Sequence, residues 1–189
     1  MGRESAKIRI TKNFVQYWSD RYDEAYLDKK DYRDEQRLKR WLARQSSRRF
    51  LDKNRFRDIA MWKTPRGKHH YEANSTGFVR QVTEQALQAS DDRLRLHVLM
   101  ALDGVGVPVA STILHFAFPD TYPILDVRAL RTLARAGYDA RGSTPADWLK
   151  YTRLMGRLAK KLEVDLRTLD KALWAFDKYG GKVRQGESS

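Results

Sequence analysis

The chain has 189 residues, 37 of them Lys or Arg against 24 Asp or Glu, a formal charge of +13 and an isoelectric point near 10.0. Such a length favours one domain with a sizeable core, and such a charge favours polyanionic partners. No cysteine is present, which excludes disulfides, thiolate zinc sites, cysteine-ligated iron–sulfur clusters and a cysteine nucleophile.

The opening residues, Met1-Gly2-Arg3-Glu4-Ser5-Ala6, have neither the apolar stretch of a secretion signal nor the Ser or Thr of a myristoylation pattern. A cytoplasmic protein, nucleoid-associated if bacterial, is expected. Lys7 to Thr11 reads as a short strand or an ordered arm. Phe14, Tyr17, Trp18, Tyr22 and Tyr26 then recur at steps of three and four, an aromatic helical stripe that reads as core. Leu38, Trp41 and Leu42 suggest a second helix, and Phe50, Phe56, Ile59 and Trp62 a third. Thr64-Pro65-Arg66-Gly67-Lys68 breaks the pattern. Phe78, Val82, Ala86 and Leu87 resume it.

Leu94, Val98, Leu99 and Leu102 mark a helix with Ser90 as its expected N-cap. Val107 to Phe118 follows a glycine turn. The apolar run from Leu96 to Phe118 contains Asp103 and that turn, so it reads as two buried helices rather than one membrane span. Val127 to Ala136 is a further helix, stopped by Gly137. Thr144-Pro145-Ala146-Asp147 is a capped helix start, leading to Trp148, Tyr151, Leu154 and Leu158. A last helix begins about Asp165 and carries Leu169, Leu173, Trp174 and Phe176. The tail, 180–189, reads as flexible. The expectation is an all-α protein of eight to ten helices.

Charge is unevenly spread. Between Arg37 and Lys68 twelve basic residues face only two acids, Asp52 and Asp58, an excess of ten, whereas Leu96 to Val127 holds no Lys or Arg. A solvated helix face is the bland explanation. The imbalance points instead to a polyphosphate-facing surface. Trp41, Phe50, Phe56 and Trp62 interleave with it at a spacing that suits core or base stacking alike.

The most specific sequence is Leu102-Asp103-Gly104-Val105-Gly106-Val107-Pro108-Val109-Ala110, followed by Pro119-Asp120-Thr121-Tyr122-Pro123 and Asp126. A Gly-x-Gly turn opening a helix lets backbone N–H groups and the helix dipole approach a phosphate closely. Pro108 removes a donor that the first helical turn leaves unpaired anyway. No strand precedes the turn and no third glycine follows, so a dinucleotide fingerprint is not met. Asp126 can be read as the cap of the helix beginning at Val127 or as a catalytic carboxylate.

Taken together, this hairpin, the Pro-bearing loop and an aspartate twenty residues after Gly106 resemble the helix-hairpin-helix DNA glycosylase superfamily, over about Leu94 to Leu133. The resemblance implies a two-lobed helical fold. A hairpin-containing lobe would span about 30–125, and about 1–29 with 126–189 would form the second lobe. It further implies Gly104, Val105 and Gly106 as a phosphate-binding hairpin, Val107 as a further backbone donor, and Asp126 as the catalytic carboxylate. Such a group stabilises the positive charge that builds on the sugar as an N-glycosidic bond breaks.

Three departures sharpen this reading. Bifunctional members carry a lysine where this chain has Pro108, so a monofunctional enzyme is implied. Endonuclease III-like members often carry a cysteine-ligated cluster, which this chain cannot. No basic side chain adjoins the hairpin, so backbone donors or a monovalent cation must hold the phosphate. No other cofactor and no metal site is expected; the four histidines include no His-Glu-x-x-His pair.

Double-stranded DNA is the expected partner of a monomeric protein, with Arg66 and Lys68 as further contacts. A pocket for the flipped base would draw on Trp62, Lys63, His69, His70, Tyr71 and Tyr122. Trp62 could equally be core, and His69-His70 a solvated loop pair; His115 reads as a core histidine. The alternative function is a non-catalytic helix-hairpin-helix DNA-binding module.

Overall fold

The computed structural model describes residues 8–26, 29–43, 50–142 and 144–180. Lys7, Arg44, Arg48, Arg49 and the 181–189 tail lie outside them. The described residues form α1 (Lys12–Tyr26), α2 (Lys30–Ala43), α3 (Lys53–Lys63), a single 3₁₀ turn (Pro65–Gly67), α4 (Lys68–Ala73), α5 (Thr76–Gln88), α6 (Asp92–Leu99), α7 (Val107–Ala117), α8 (Val127–Arg135), α9 (Pro145–Leu162) and α10 (Leu166–Tyr179). The fold is all-α, with no strand among these residues. None of these helices is long and apolar enough to cross a membrane.

Helix starts follow side-chain chemistry. Asp52, Ser75, Asp91, Asp126, Thr144 and Asp165 each accept a hydrogen bond from a backbone N–H in the first turn of the helix they precede. The cap of α6 is therefore Asp91 and not Ser90, because Asp91 Oδ1 reaches Leu94 N–H at 2.7 Å. Ile8 to Thr11 is an arm: Ile8 N–H donates to the Arg135 carbonyl, and Thr11 Oγ1 accepts from Phe14 N–H. The Thr64–Lys68 break holds its single 3₁₀ turn and then gives way to the short α4, which a two-residue His pair could not announce.

The central element is α7. Every residue from Val107 to Phe116 except Pro108 is buried, so this helix has neighbours all round. It packs on α2, α3 and α6, while α10 packs on α1, α8 and α9. Leu38, Phe56, Ile113, Leu114, Trp148 and Leu173 belong to one continuous core. The aromatic stripe of α1 is only partly core. Trp18 is buried, Tyr17 is 47% exposed, and Tyr22 and Tyr26 are half-buried.

Buried polar ties set where the loops lie. Ser111 Oγ donates to the Pro108 carbonyl at 2.8 Å and accepts from Leu125 N–H at 3.0 Å, binding α7 to the 119–126 loop. Tyr151 Oη donates to the Ile124 carbonyl at 3.0 Å. His115 Nδ1 lies 2.8 Å from the Tyr122 carbonyl and must carry the proton there. Burial lowers the His115 pKa to about 4, keeping the ring neutral.

Asn74 does the same for the glycine turn. Its Nδ2 donates to the carbonyls of His70 and Asp103, each at 3.1 Å, and its Oδ1 accepts from Asp103 N–H at 2.9 Å. Replacing Asn74 with Ala strands these buried backbone groups. Urea unfolding of Asn74→Ala should show a loss of about 2–4 kcal/mol, against well under 1 kcal/mol for Ala at a surface position.

Candidate active site

Asp126 terminates the loop that Ser111 and Tyr151 hold. Its Oδ1 accepts from Arg128 N–H at 2.9 Å, so it caps α8. Its Oδ2 accepts from Lys63 Nζ at 2.7 Å, across from the last residue of α3. Of the two readings that the sequence left open, the structure shows the cap: capping satisfies one oxygen, and the other faces a cation. The Lys63 side chain is 10% exposed and that of Asp126 22%.

Two hollows meet at this pair. One is a cavity of about 170 Å³ walled by Tyr22 and Tyr26 of α1, Trp62 of α3 and Trp174 of α10, with Ile124, Lys63 and Asp126 on its loop side. Arg167 and Asp170 complete it. The other is a groove of about 740 Å³ along Lys63 to Arg66, Leu125 to Val127, Leu130 and Gly142, with Pro108 of α7 on its edge. Lys63 and Asp126 line both.

Beneath the cavity lies a buried ion network. Arg167 Nε and Nη2 donate to the two oxygens of Glu35 at 2.9 and 2.7 Å. Nη1 donates to Asp170 Oδ2, and Nη2 also reaches Tyr22 Oη at 3.2 Å. Lys39 Nζ pairs with Glu35 at 2.8 Å. Burial alone would raise the Glu35 pKa, but the Arg167 guanidinium, with Lys39, holds it well below the carboxylate range. For Asp170 burial wins over the attraction of Arg167 and Lys63, and its pKa is pushed up to about 6.

The turn before α7 is built for close approach. Gly104 adopts φ +81°, and a Cβ there would lie 2.7 Å from His70 Cβ and 2.8 Å from the Tyr71 ring. Gly106 is extended and opens α7, whose first N–H groups, Val107 included, have no partner within the helix. Val105 is different. Its N–H donates to the Leu102 carbonyl and its side chain is buried, so it braces the turn instead of presenting a donor. The Leu102 and Asp103 carbonyls already accept hydrogen bonds. A monovalent cation at the turn would have to use their remaining lone pairs.

Of the residues expected around a base, the fold brings Trp62 and Lys63 to the cavity and Arg66 to the groove. Tyr71 and Tyr122 go to the core instead. Tyr71 is 1% exposed, packs edge-on against Phe56 and donates its hydroxyl to the Thr64 carbonyl. Tyr122 is buried against Trp148 with its hydroxyl on Asp92. His69 and His70 lie on exposed α4 with rings 3.8 Å apart, and line neither hollow. Lys68, on the same helix, is exposed beside Glu72 at 3.8 Å.

Sequence reasoning passed over Tyr22, Tyr26, Trp174, Arg167, Glu35 and Asp170 as site residues. The only signal was the i,i+4 spacing of Tyr22 with Tyr26 and Asp170 with Trp174, and periodicity does not tell a cavity wall from core. The basic segment is also partly compensated: Arg37, Arg55 and Arg57 share Asp58. Arg37 also pairs with Asp34, so two carboxylates among three guanidinium groups leave an excess of one positive charge.

No protein-family model and no solved structure matches the chain.

The titration of Asp170 has a thermodynamic consequence. The unfolded chain releases this proton near pH 3.8, whereas the folded protein keeps it to about 6. Stability from this group is therefore complete below 3.8 and lost as pH rises through 6. His115 acts oppositely, its lowered pKa favouring the fold as pH rises, so the Asp170 contribution is read as a difference. Urea curves at pH 4.5 and pH 7 should show wild type losing stability, relative to Asp170→Asn, at the higher pH.

Proposed function

We propose that the chain is a monofunctional DNA glycosylase of two-lobed helix-hairpin-helix fold. It would hydrolyse the N-glycosidic bond of a modified, damaged or mismatched base turned out of duplex DNA. The observation that carries this reading is the meeting of two hollows at one carboxylate: Asp126 lines both an aromatic-walled cavity and a groove that Pro108, in the first turn of α7, also lines.

In the reaction the flipped base enters the cavity, at an unstacking cost of a few kcal/mol. As the bond between C1′ and the base nitrogen lengthens, Asp126 stabilises the cationic sugar. Water adds its oxygen to C1′ and gives a proton to Asp126, while the base leaves with the bonding electrons and takes a proton from solvent, to which Asp126 returns the one it received. Lys63 holds the carboxylate in orientation through its 2.7 Å contact. Backbone N–H groups at Gly106 and Val107 hold a phosphate at the helix start, and Arg66 with Lys68 adds charge along the groove side. A single copy of the chain carries every group this scheme uses.

The same contact favours one second reading, for the step after base loss. Lys63, after passing a proton to Asp126, would attack C1′ of the ring-opened abasic sugar and form a Schiff base with loss of water, taking the place of the lysine absent at Pro108. Borohydride reduction separates the two: no protein–DNA adduct is expected for hydrolysis alone, whereas an adduct lost in Lys63→Met would establish lyase chemistry.

Duplexes each bearing one modified base give the direct test. Wild type should produce strand breaks only after alkali, and Asp126→Asn none, with DNA binding retained. Full activity in Asp126→Asn would remove the carboxylate from the mechanism. Arg66→Ala should weaken binding on every sequence and reduce the slope of log K against log salt by about 0.9.

A further inference from the structure

Five buried side-chain atoms lack a hydrogen-bond partner among the described residues: Arg95 Nε, His115 Nε2, Trp148 Nε1, Thr152 Oγ1 and Asp170 Oδ1. Four of them belong to residues that line neither hollow at Asp126. Asp170 lines the cavity, is 3% exposed, and has its other oxygen fixed on Arg167. A buried carboxylate oxygen left unpaired is costly unless something arrives to pair with it. The residue lines a cavity of about 170 Å³. By comparison, a protein cavity of about 150 Å³ takes up a benzene-sized ring.

The other groups around the cavity do not answer that oxygen. Arg167 is committed to Glu35, Asp170 Oδ2 and Tyr22, and Lys63 to Asp126. Tyr22, Tyr26 and Trp174 offer ring faces and edges that hold a flat molecule with little preference among bases. A carboxylate oxygen accepts only, so it selects ligands that bring a donor.

We propose that Asp170 is a specificity-determining residue: its Oδ1 recognises a flat base carrying an N–H on its edge, within the aromatic cavity that Asp126 closes. This assignment rests on the glycosylase reading for the origin of the base, though not for its recognition. A base with a bare ring nitrogen at that edge sets lone pair against lone pair and is rejected.

Two small probes test this without knowledge of the natural substrate. 1-Methyluracil carries N3–H, with its methyl group in place of the sugar; 1-methyl-2-pyrimidinone has nearly the same ring and a lone pair at N3. Each is titrated against the intact protein while tryptophan fluorescence is followed, since Trp62 and Trp174 wall the cavity. Wild type should bind 1-methyluracil more tightly by on the order of tenfold, the yield of one hydrogen bond to a charged group.

Asp170→Asn keeps the side-chain shape and an oxygen for Arg167, and turns an amide NH₂ toward the cavity. With folding verified by circular dichroism, it should reverse the order of the two probes. Equal affinities in wild type, no saturable binding of either probe, or an unchanged order in a folded Asp170→Asn overturns the proposal. The ordering in a protein that excises no base would retain this role for Asp170 and remove the glycosylase reading. Asp126-dependent excision without the ordering would do the reverse.

Discussion

Arg167 is sealed between Glu35 of α2 and Asp170 of its own helix, with Tyr22 of α1 on its free edge. Taking a guanidinium and two carboxylates out of water costs several kcal/mol per ion, and apolar replacements of equal volume are often as stable or more so. Stability alone therefore does not explain this network. What it does is position: bidentate pairing fixes α2 against α10 with an angular precision that apolar packing lacks. The cavity is the space that remains above it. Trp62 and Tyr22 lie with Arg167 over their rings, at 5.6 and 5.4 Å from the ring centroids, so the aromatic walls are oriented by the same cation.

On the opposite side of the cavity the constraint is a loop. Ser111, Tyr151 and His115 each tie a backbone group of Tyr122, Ile124 or Leu125 to a helix. The chain consequently reaches Asp126 in one conformation, and the helix that begins there uses one carboxylate oxygen as its cap. Cap and ion pair do not compete, because a carboxylate has two oxygens and the cap needs one. Lys63 completes the arrangement from α3. A helix end, a loop end and a helix start converge on one pair, which is how a small helical protein makes a concave site without a long loop of its own.

The glycine turn depends on a different neighbour. Gly104 can approach α4 because it has no Cβ, and Asn74 reads both backbone groups of Asp103. Buried hydrogen bonds of this kind hold the turn. Arg66 of the adjoining 3₁₀ turn lines the same groove as Pro108 in the first turn of α7.

Helix positions were legible from residues alone because caps and apolar periods act locally: Asp126, Thr144 and Asp165 each accept from an N–H two or three residues on. Gly137 ends α8 through its own φ of +85°. The importance of Gly104, Gly106 and Asp126 was legible for the same reason, since a tight turn and a cap are written within a few residues. What surrounds Asp126 was not. Lys63 is 63 residues away from it in sequence, and the Arg167–Glu35 pair spans 132. From the sequence Tyr71 and Tyr122 read as pocket residues and Tyr22 and Tyr26 as core, and packing reversed both, sending the first two into the core and the others to a cavity wall. The sequence by itself determined an all-α chain with a positive segment, a glycine turn and a capping aspartate, because these follow from short-range sterics and charge. Tertiary structure alone decided which cation meets Asp126 and which carboxylate oxygen stays unpaired, because those depend on distances between helices that no local pattern encodes.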